Sequence, residues 1–100
     1  MIDWGRVEGF DWDDGNARKS SDKHGVSQAE AEQLFFNQPL LIVEDPGHSV
    51  DEPRFHALGR TDEGHPLHVT FTLRDAATWV RVISARDMSR KERARYAQES

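Results

Sequence analysis

The chain has 100 residues, which is enough for one domain with a single modest core. Its 36% hydrophobic residues favour a folded domain over a disordered chain. No apolar run approaches the length of a membrane span, and the amino-terminal residues Met1 to Trp4 lack the pattern of a secretory signal. Because cysteine is absent, disulfides and thiolate metal sites are excluded. We therefore expect a cytoplasmic protein without membrane contact.

The net charge of −5 is unevenly distributed along the chain. Residues 1–73 contain 14 acidic and 6 basic side chains, whereas residues 74–100 contain 4 acidic and 7 basic ones. The acidic total argues against a protein that holds bare nucleic acid through bulk charge, since that binding needs clustered Lys and Arg. The carboxyl end is predicted to be a cationic patch on an acidic body, although a solvated helix face is the ordinary alternative.

The first half of the chain predicts one short strand and two helices. Phe10 and Trp12 alternate with aspartates, which indicates a strand with one buried face. A helix over residues 15–24 can be capped by Asp13 or Asp14, and Gly25 suits its end. Ser27-Gln28-Ala29-Glu30 is a capping box that starts a second helix, ending near residues 37–39.

The second half predicts four strands and a terminal helix. Residues 40–43 form a continuous apolar run, which indicates a central strand buried on both faces. Residues 54–60, 67–74 and 79–86 alternate or are rich in β-formers, and Ser89 to Glu92 is a second capping box. The order β-α-α-β-β-β-β-α with hairpin-length late connections predicts an α+β domain. We expect a small antiparallel sheet of four to five strands, with two amino-terminal helices and a carboxyl-terminal helix covering one face.

The alternation in the later strands places polar side chains on the face opposite Phe55, Ala57 and Val69. This polar face is predicted to carry Arg54, His56, Arg60, His68, Thr70 and Thr72. One wet face is common in antiparallel sheets, so the pattern alone does not establish a site.

Cationic side chains beside histidines suit the cleavage of RNA without a metal. A base removes the proton of the 2′-hydroxyl, the 2′-oxygen attacks phosphorus, and cations stabilise the phosphoryl oxygens. His24 could be the base or acid and Glu52 the base, while Lys23, Arg60 and Arg86 could stabilise charge. A Lys-His pair at a helix end is more often simply solvated.

A metal site is the alternative that spacing suggests for the middle of the chain. Asp45, His48, Glu52 and His56 lie three or four residues apart. Two prolines and a glycine within this segment prevent one continuous helix, so these side chains would not share a helix face. We therefore predict no metal and no cofactor.

Three motifs together resemble a known family. "FDWDDGNARKSSDKHGVSQAEAEQLFFNQPLL", "DEPRFHALGRTDEGHPLHVTFTLR" and "RVISARDMSRKERARY" are similar to the BrnT toxins of bacterial type II toxin–antitoxin modules. The resemblance covers about residues 10–96. It implies a RelE/ParE-like endoribonuclease that halts translation, with RNA as substrate. The acidic net charge favours RNA presented on a ribosome over free RNA, unless the cationic side is local. It also implies neutralisation by a BrnA-like antitoxin, dimeric and DNA-binding, through which alone the toxin would reach operator DNA.

The resemblance also implies which residues form the site. The matching positions are Lys23 and His24, Glu52 and Arg54, Arg60, Arg86, and the terminal-helix residues Glu92, Arg93 and Tyr96. We expect catalysis by Lys23, His24, Glu52, Arg60 and Arg86, and substrate binding by Arg54, His56, His68 and Tyr96. The chain departs from the pattern at His65-Pro66 and at Trp79.

Arg81 needs separate treatment, because it lies five residues before Arg86. Residues five apart face opposite sides of a straight strand unless a bulge intervenes, so we expect Arg81 to be structural or interfacial.

Two functions remain open from sequence. The first is an RNA-cleaving toxin, and the second is a catalytically inactive toxin-fold partner that acts as co-repressor with a DNA-binding antitoxin. Both require the same sheet and the same cationic patch. A stand-alone small-molecule enzyme has no motif in its favour.

Overall fold

The computed structural model describes residues 2–48 and 52–99, apart from the side chains of residues 19–23 and 48. The elements, in chain order, are β1 (Gly9–Phe10), α1 (Asp14–His24), α2 (Gln28–Gln33), β2 (Leu41–Glu44), β3 (Arg54–Arg60), β4 (Pro66–Arg74), β5 (Trp79–Asp87) and α3 (Arg90–Glu99). Short 3-10 turns cover Trp4–Arg6, Leu34–Phe36 and Pro46–His48. This is the predicted element order, and the α+β class is confirmed.

The described strands form one sheet in the order β1-β5-β4-β3-β2. Strands β2 to β5 pair antiparallel, as predicted, but β1 pairs parallel to β5, so the sheet is mixed rather than antiparallel. No hairpin joins β1 to β5, so no short turn fixes their relative direction. The prediction of a central strand at residues 40–43 was also wrong. β2 is an edge strand that is only partly buried, and a short apolar run does not distinguish the two positions.

The core lies between one face of the sheet and the two amino-terminal helices. Val26, Ala31 and Leu34 pack there against the buried side chains of β3, β4 and β5, among which Phe71 is the largest. Gly59 on β3 lies directly under Leu34, where a Cβ atom would stand 2.7 Å from Leu34 Cγ. Burying such side chains contributes roughly 1.5–3 kcal/mol each, so this contact fixes α2 and its 3-10 extension on the sheet.

Helix α3 lies on the other face of the sheet, which corrects the prediction that helices cover one face. Its residues are exposed or half-buried, and it has no apolar stripe. It is held instead by polar contacts to the sheet and by the Tyr96 hydroxyl, which donates to the Pro39 carbonyl oxygen at 2.6 Å. The sequence pattern could not place this helix, since amphipathic periodicity is the signal for burial against a core.

Local hydrogen bonds explain where the helices begin. Asp13 Oδ1 accepts from the backbone N–H groups of Gly15 and Asn16, which caps α1. Ser27 and Glu30 form the predicted capping box at α2. The amide of Asn16, which is buried, donates to the Val82 carbonyl oxygen and ties α1 to β5.

A β-bulge in β5 changes which face its side chains occupy. Thr70 pairs with Ser84 and Phe71 pairs with Val82, which leaves Ile83 as the extra residue. Val82 and Ala85 consequently both face the core, although they are three residues apart. Residues on either side of the bulge that are an odd number apart therefore share a face.

Candidate nucleic-acid interface

A groove of about 410 Å³ lies between α3 and the polar face of the sheet. Its lining, here called the α3 groove, consists of Val43, His56, Leu58, His68, Lys91, Glu92 and Arg95. The sheet forms one wall of the groove. As the alternation predicts, His56 and Leu58 on β3 and His68 on β4 face away from the core. The capping box at Ser89 and Glu92 starts α3 over this floor.

His56 is fixed in position by hydrogen bonds at both ring nitrogens. Nε2 lies 2.7 Å from Asp45 Oδ2, and Nδ1 lies 2.9 Å from Thr70 Oγ1. Because both nitrogens are occupied, His56 cannot exchange a proton with a ligand while these bonds persist. Its ring packs against that of His68 with centroids 5.0 Å apart.

His68 is the most buried titratable side chain of the groove, at 8% exposure. Its Nδ1 atom is buried without a hydrogen-bond partner, and its Nε2 atom lies 3.9 Å from Glu92 Oε2, beyond hydrogen-bond distance. Burial lowers the pKa of His68, and the nearby Arg86 guanidinium lowers it further. The imidazole is therefore neutral at pH 7 and able to accept a proton.

Arg86 pairs with Glu92 through two parallel hydrogen bonds of 2.8 and 3.0 Å. This two-point contact raises the pKa of Arg86 and lowers the pKa of Glu92 to about 2. Glu92 Oε1 also accepts from the Ser89 backbone N–H at 2.8 Å. One carboxylate thus caps α3 and holds the end of β5.

Arg60 lies at the same end of the sheet as Arg86. The register Arg60↔Pro66 and His68↔Arg86 puts both guanidinium-bearing residues on the polar face, with β4 between them. Two inter-strand spacings and an offset of two residues along β4 separate their backbones by about 12 Å. Arg60 is exposed and makes no ion pair with a described residue. Its positive charge lowers the pKa of the Tyr96 hydroxyl. Burial of that hydroxyl has the larger effect and raises the pKa of Tyr96.

The structure does not bring all the predicted site residues together. Glu52 lies at the opposite end of β3, where it pairs with Arg74 at 3.0 Å, and Arg54 is at that end too. The seven residues of β3 span about 20 Å between these two ends. His24 is exposed at the end of α1, a helix of the core-facing layer, and the side chain of Lys23 lies outside the described residues.

Arg81 shares the polar face with Arg86 because of the bulge, yet it belongs to a different cluster. Its guanidinium pairs with Asp13 at 2.9 Å and with Asp11 at 3.5 Å. The hydrogen bond that Asp13 accepts from the Asn16 backbone N–H lowers the pKa of Asp13, and the Arg81 guanidinium lowers it further. Arg81 therefore ties β5 to the start of α1, and its structural or interfacial role stays a prediction.

Sequence reasoning missed Lys91 and Arg95 as groove residues. They lie four residues apart on α3, so they share a helix face, and both line the groove. That spacing was the available signal. The signal was obscured because α3 is polar on every side, with Arg90, Arg93 and other polar residues on its remaining faces.

The residues considered as an alternative metal site make separate contacts. Asp45 does lie beside His56, but Glu52 pairs with Arg74, and the side chain of His48 is not described. Within residues 2–48 and 52–99, no three potential ligands are grouped so that they could hold a metal ion.

The fold and the groove define a class of protein: a small α+β domain with a cationic groove, containing a neutral buried histidine, on one face of its sheet. A family model described as the ribonuclease toxin BrnT of a type II toxin–antitoxin system matches residues 12–92. The chain belongs to this BrnT family of ribonuclease toxins. Comparison with curated proteins gives no match. Among the described residues, no helix is both long and apolar enough to span a membrane.

Proposed function

We propose that this chain is an active RNA-cleaving toxin whose substrate strand binds in the α3 groove. The observation that supports the proposal best is the placement of His68. A neutral imidazole stands beside Arg86 in a groove bordered by Lys91 and Arg95, at the end of the sheet that also carries Arg60. Base, phosphate-binding cations and an open groove thus occur together.

In this proposal His68 is the base, through its Nε2 atom. It accepts the proton of a 2′-hydroxyl, the 2′-oxygen forms a bond to the adjacent phosphorus, and the bond from phosphorus to the 5′-oxygen breaks. The products are a 2′,3′-cyclic phosphate and a 5′-hydroxyl, because the departing 5′-oxygen takes a proton from a water molecule. No metal is required, because guanidinium and ammonium groups can stabilise the charge on the phosphoryl oxygens.

Charged residues of the groove would divide the remaining work. Lys91 and Arg95 are exposed on α3 and would bind the phosphates that flank the reacting one. Arg86 would contact the reacting phosphate by exchanging part of its contact with Glu92 for a phosphoryl oxygen. Leu58 and Val43 provide an apolar floor on which a base could rest.

One observation favours the second candidate, an inactive toxin-fold partner that serves as co-repressor. The charge of Arg86 is already compensated by Glu92, whose pKa of about 2 keeps it ionised. A carboxylate in the groove repels phosphate. In that case the chain would contribute only a folded surface to a dimeric, DNA-binding antitoxin and would reach operator DNA through it.

Cleavage of a labelled single-stranded RNA in excess EDTA separates the two candidates. We expect cleavage with a cyclic phosphate terminus, no cleavage after a 2′-deoxy nucleotide, and a loss of about 100-fold or more in His68→Gln and Arg86→Lys. Arg6→Gln, an exposed cation in the turn over the core face, is the matched control and should cleave normally. Absence of cleavage by the folded wild type would support the co-repressor. Cleavage that persists in His68→Gln would remove His68 from the mechanism.

Induced expression in bacteria tests the consequence for translation. We expect growth arrest with loss of RNA and of protein synthesis, and we expect both to be absent in His68→Gln. Co-expression of the antitoxin encoded beside the toxin should restore growth.

A further inference from the structure

The core-facing side of the molecule carries an apolar surface that the proposed RNA site does not use. Two hollows of about 380 and 300 Å³ lie on either side of the Trp4 ring. We call this the Trp4 surface, and its aromatic and aliphatic side chains are Ile2, Trp4, Val7, Phe10, Phe35, Phe36, Ile42, Phe55 and Val80. It lies on the opposite side of the sheet from the α3 groove, because Ile42 and Phe55 face the core side.

Phe36 is the most exposed large apolar side chain of the described residues, at 76%. Trp4 is 39% exposed, although its ring also packs against Phe35 and Phe71 at 5.8 and 6.3 Å. The exposed rings therefore continue directly into the core, through Phe10 and Phe35, whose centroids are 5.5 Å apart. A contiguous exposed apolar area that is supported by rigid core residues is typical of a docking surface.

The charges of this surface identify the chemistry of its partner. The charged side chains that line the two hollows are both acidic, Glu8 in one and Glu44 in the other. Arg6 is exposed nearby but lines neither hollow. The α3 groove differs, because Lys91, Arg95 and two histidines line it beside a single carboxylate, that of Glu92. The acidic, aromatic Trp4 surface would repel RNA, and it is complementary to a segment with apolar anchors flanked by Lys or Arg.

We propose that the Trp4 surface binds the cognate antitoxin, through a segment that inserts apolar side chains beside Trp4 and Phe36 and places basic side chains against Glu8 and Glu44. The existence of an antitoxin follows from the family, whereas its place of binding follows from the surface described above. The acidic excess of residues 1–73 then has a function, since it favours association with a basic partner segment.

This placement separates the antitoxin-binding face from the α3 groove. The antitoxin would lie across α2, its 3-10 extension and β1, whereas RNA would bind beneath α3. A short RNA bound in the groove should therefore not compete directly with antitoxin bound at the Trp4 surface.

The test measures binding of the purified antitoxin encoded beside this toxin, by calorimetry, at low and high salt. Phe36→Ser should raise Kd by about 10-fold or more, with little effect on folding because the ring is largely exposed. Val43→Ser is the matched control, since Val43 is an exposed apolar residue at 39% on the opposite face, and it should bind the antitoxin normally. The double variant Glu8→Gln with Glu44→Gln should weaken binding at low salt and reduce its salt dependence.

Several outcomes would overturn the proposal. Unchanged binding by Phe36→Ser and by the double glutamine variant would do so, as would weaker binding by Val43→Ser alone. A wild-type chain that sediments as a dimer, and a Phe36→Ser chain that sediments as a monomer with normal antitoxin affinity, would assign the surface to a second copy. RNA cleavage by Phe36→Ser is measured in parallel and should be normal. A wild type that binds the antitoxin through Phe36 yet cleaves no RNA would defeat the proposed function and leave this inference standing.

Discussion

The carboxylate of Glu92 accepts two hydrogen bonds, 2.8 and 3.0 Å long, from the guanidinium of Arg86 and so joins the first turn of α3 to the end of β5. The same carboxylate accepts the Ser89 backbone N–H. Because the helix buries no apolar residue, polar contacts such as this one hold it on the sheet. The groove beneath α3 therefore depends on this ion pair together with the hydrogen bond from Tyr96 to Pro39.

We expect the free energy of unfolding to fall in acid because of Glu92. The pKa of Glu92 is about 2 in the folded protein, whereas the ordinary value for a glutamate is 4.5. The unfolded state therefore binds the proton first as the pH falls. The stabilisation is complete above about pH 4.5 and is lost as the pH approaches 2. Glu92→Gln should lower stability by about 1–3 kcal/mol at pH 7 and weaken the acid dependence in this window. Urea unfolding at pH 7 and pH 3 measures both, and Glu99→Gln, at the exposed end of α3, is the control. Equal acid dependence in Glu92→Gln and wild type would contradict the assignment.

His68 should titrate below the ordinary value of 6.5. Burial disfavours its charged form, and Arg86 adds a repulsive positive charge, so both effects act in the same direction. Arg86→Met should raise the pKa of His68, because the variant removes the repulsion and leaves Glu92 unpaired beside the ring. Histidine NMR signals followed between pH 4 and 8 give the values directly. A pKa that does not rise in Arg86→Met would show that burial alone sets it.

If the proposed RNA site is correct, Arg60 and Glu52 should differ in their effect on cleavage. Arg60 lies at the His68 end of the sheet, and Arg60→Gln should reduce kcat/KM for RNA by about 10- to 100-fold. Glu52 pairs with Arg74 at the other end, and Glu52→Gln should cleave at the wild-type rate. Loss of cleavage in Glu52→Gln, with stability unchanged, would contradict the proposed site, because it would place the chemistry at the Glu52 end of the sheet.

The turn between β4 and β5 contains Asp75, Ala76 and Ala77 with φ angles of 52°, 58° and 70°. The left-handed conformation costs a non-glycine residue about 1 kcal/mol. Ala76→Gly should therefore raise the free energy of unfolding by about 0.5–1 kcal/mol, as measured in urea. Ala29→Gly in α2 is the matched control and should lower it by a similar amount, since a helix disfavours glycine. A loss of stability in both variants would show that the positive φ angle at Ala76 does not destabilise the folded protein.

The sequence was sufficient for the order of the elements and for the capping boxes, because those signals are local. The alternation in residues 54–60 and 67–74 also placed His56 and His68 on one face correctly. Alternation does not determine which end of a strand meets which helix, so Glu52 and Arg60 were grouped in one site although β3 separates them. The location of α3 depended on the Arg86–Glu92 and Tyr96–Pro39 contacts, which join residues far apart or in different elements. Neither contact produces a periodic pattern.

The extra residue at Ile83 has a consequence for any comparison of this chain with its relatives. Counting residues along β5 must change its parity at this point. Ser84 and Arg86 keep the pairing with Thr70 and His68 that they would have without the extra residue, so a homologue lacking the insertion would still present its strand-end arginine on the polar face. Deleting Ile83 is thus a way to remove the bulge while every charged side chain of β5 stays on its own face of the sheet.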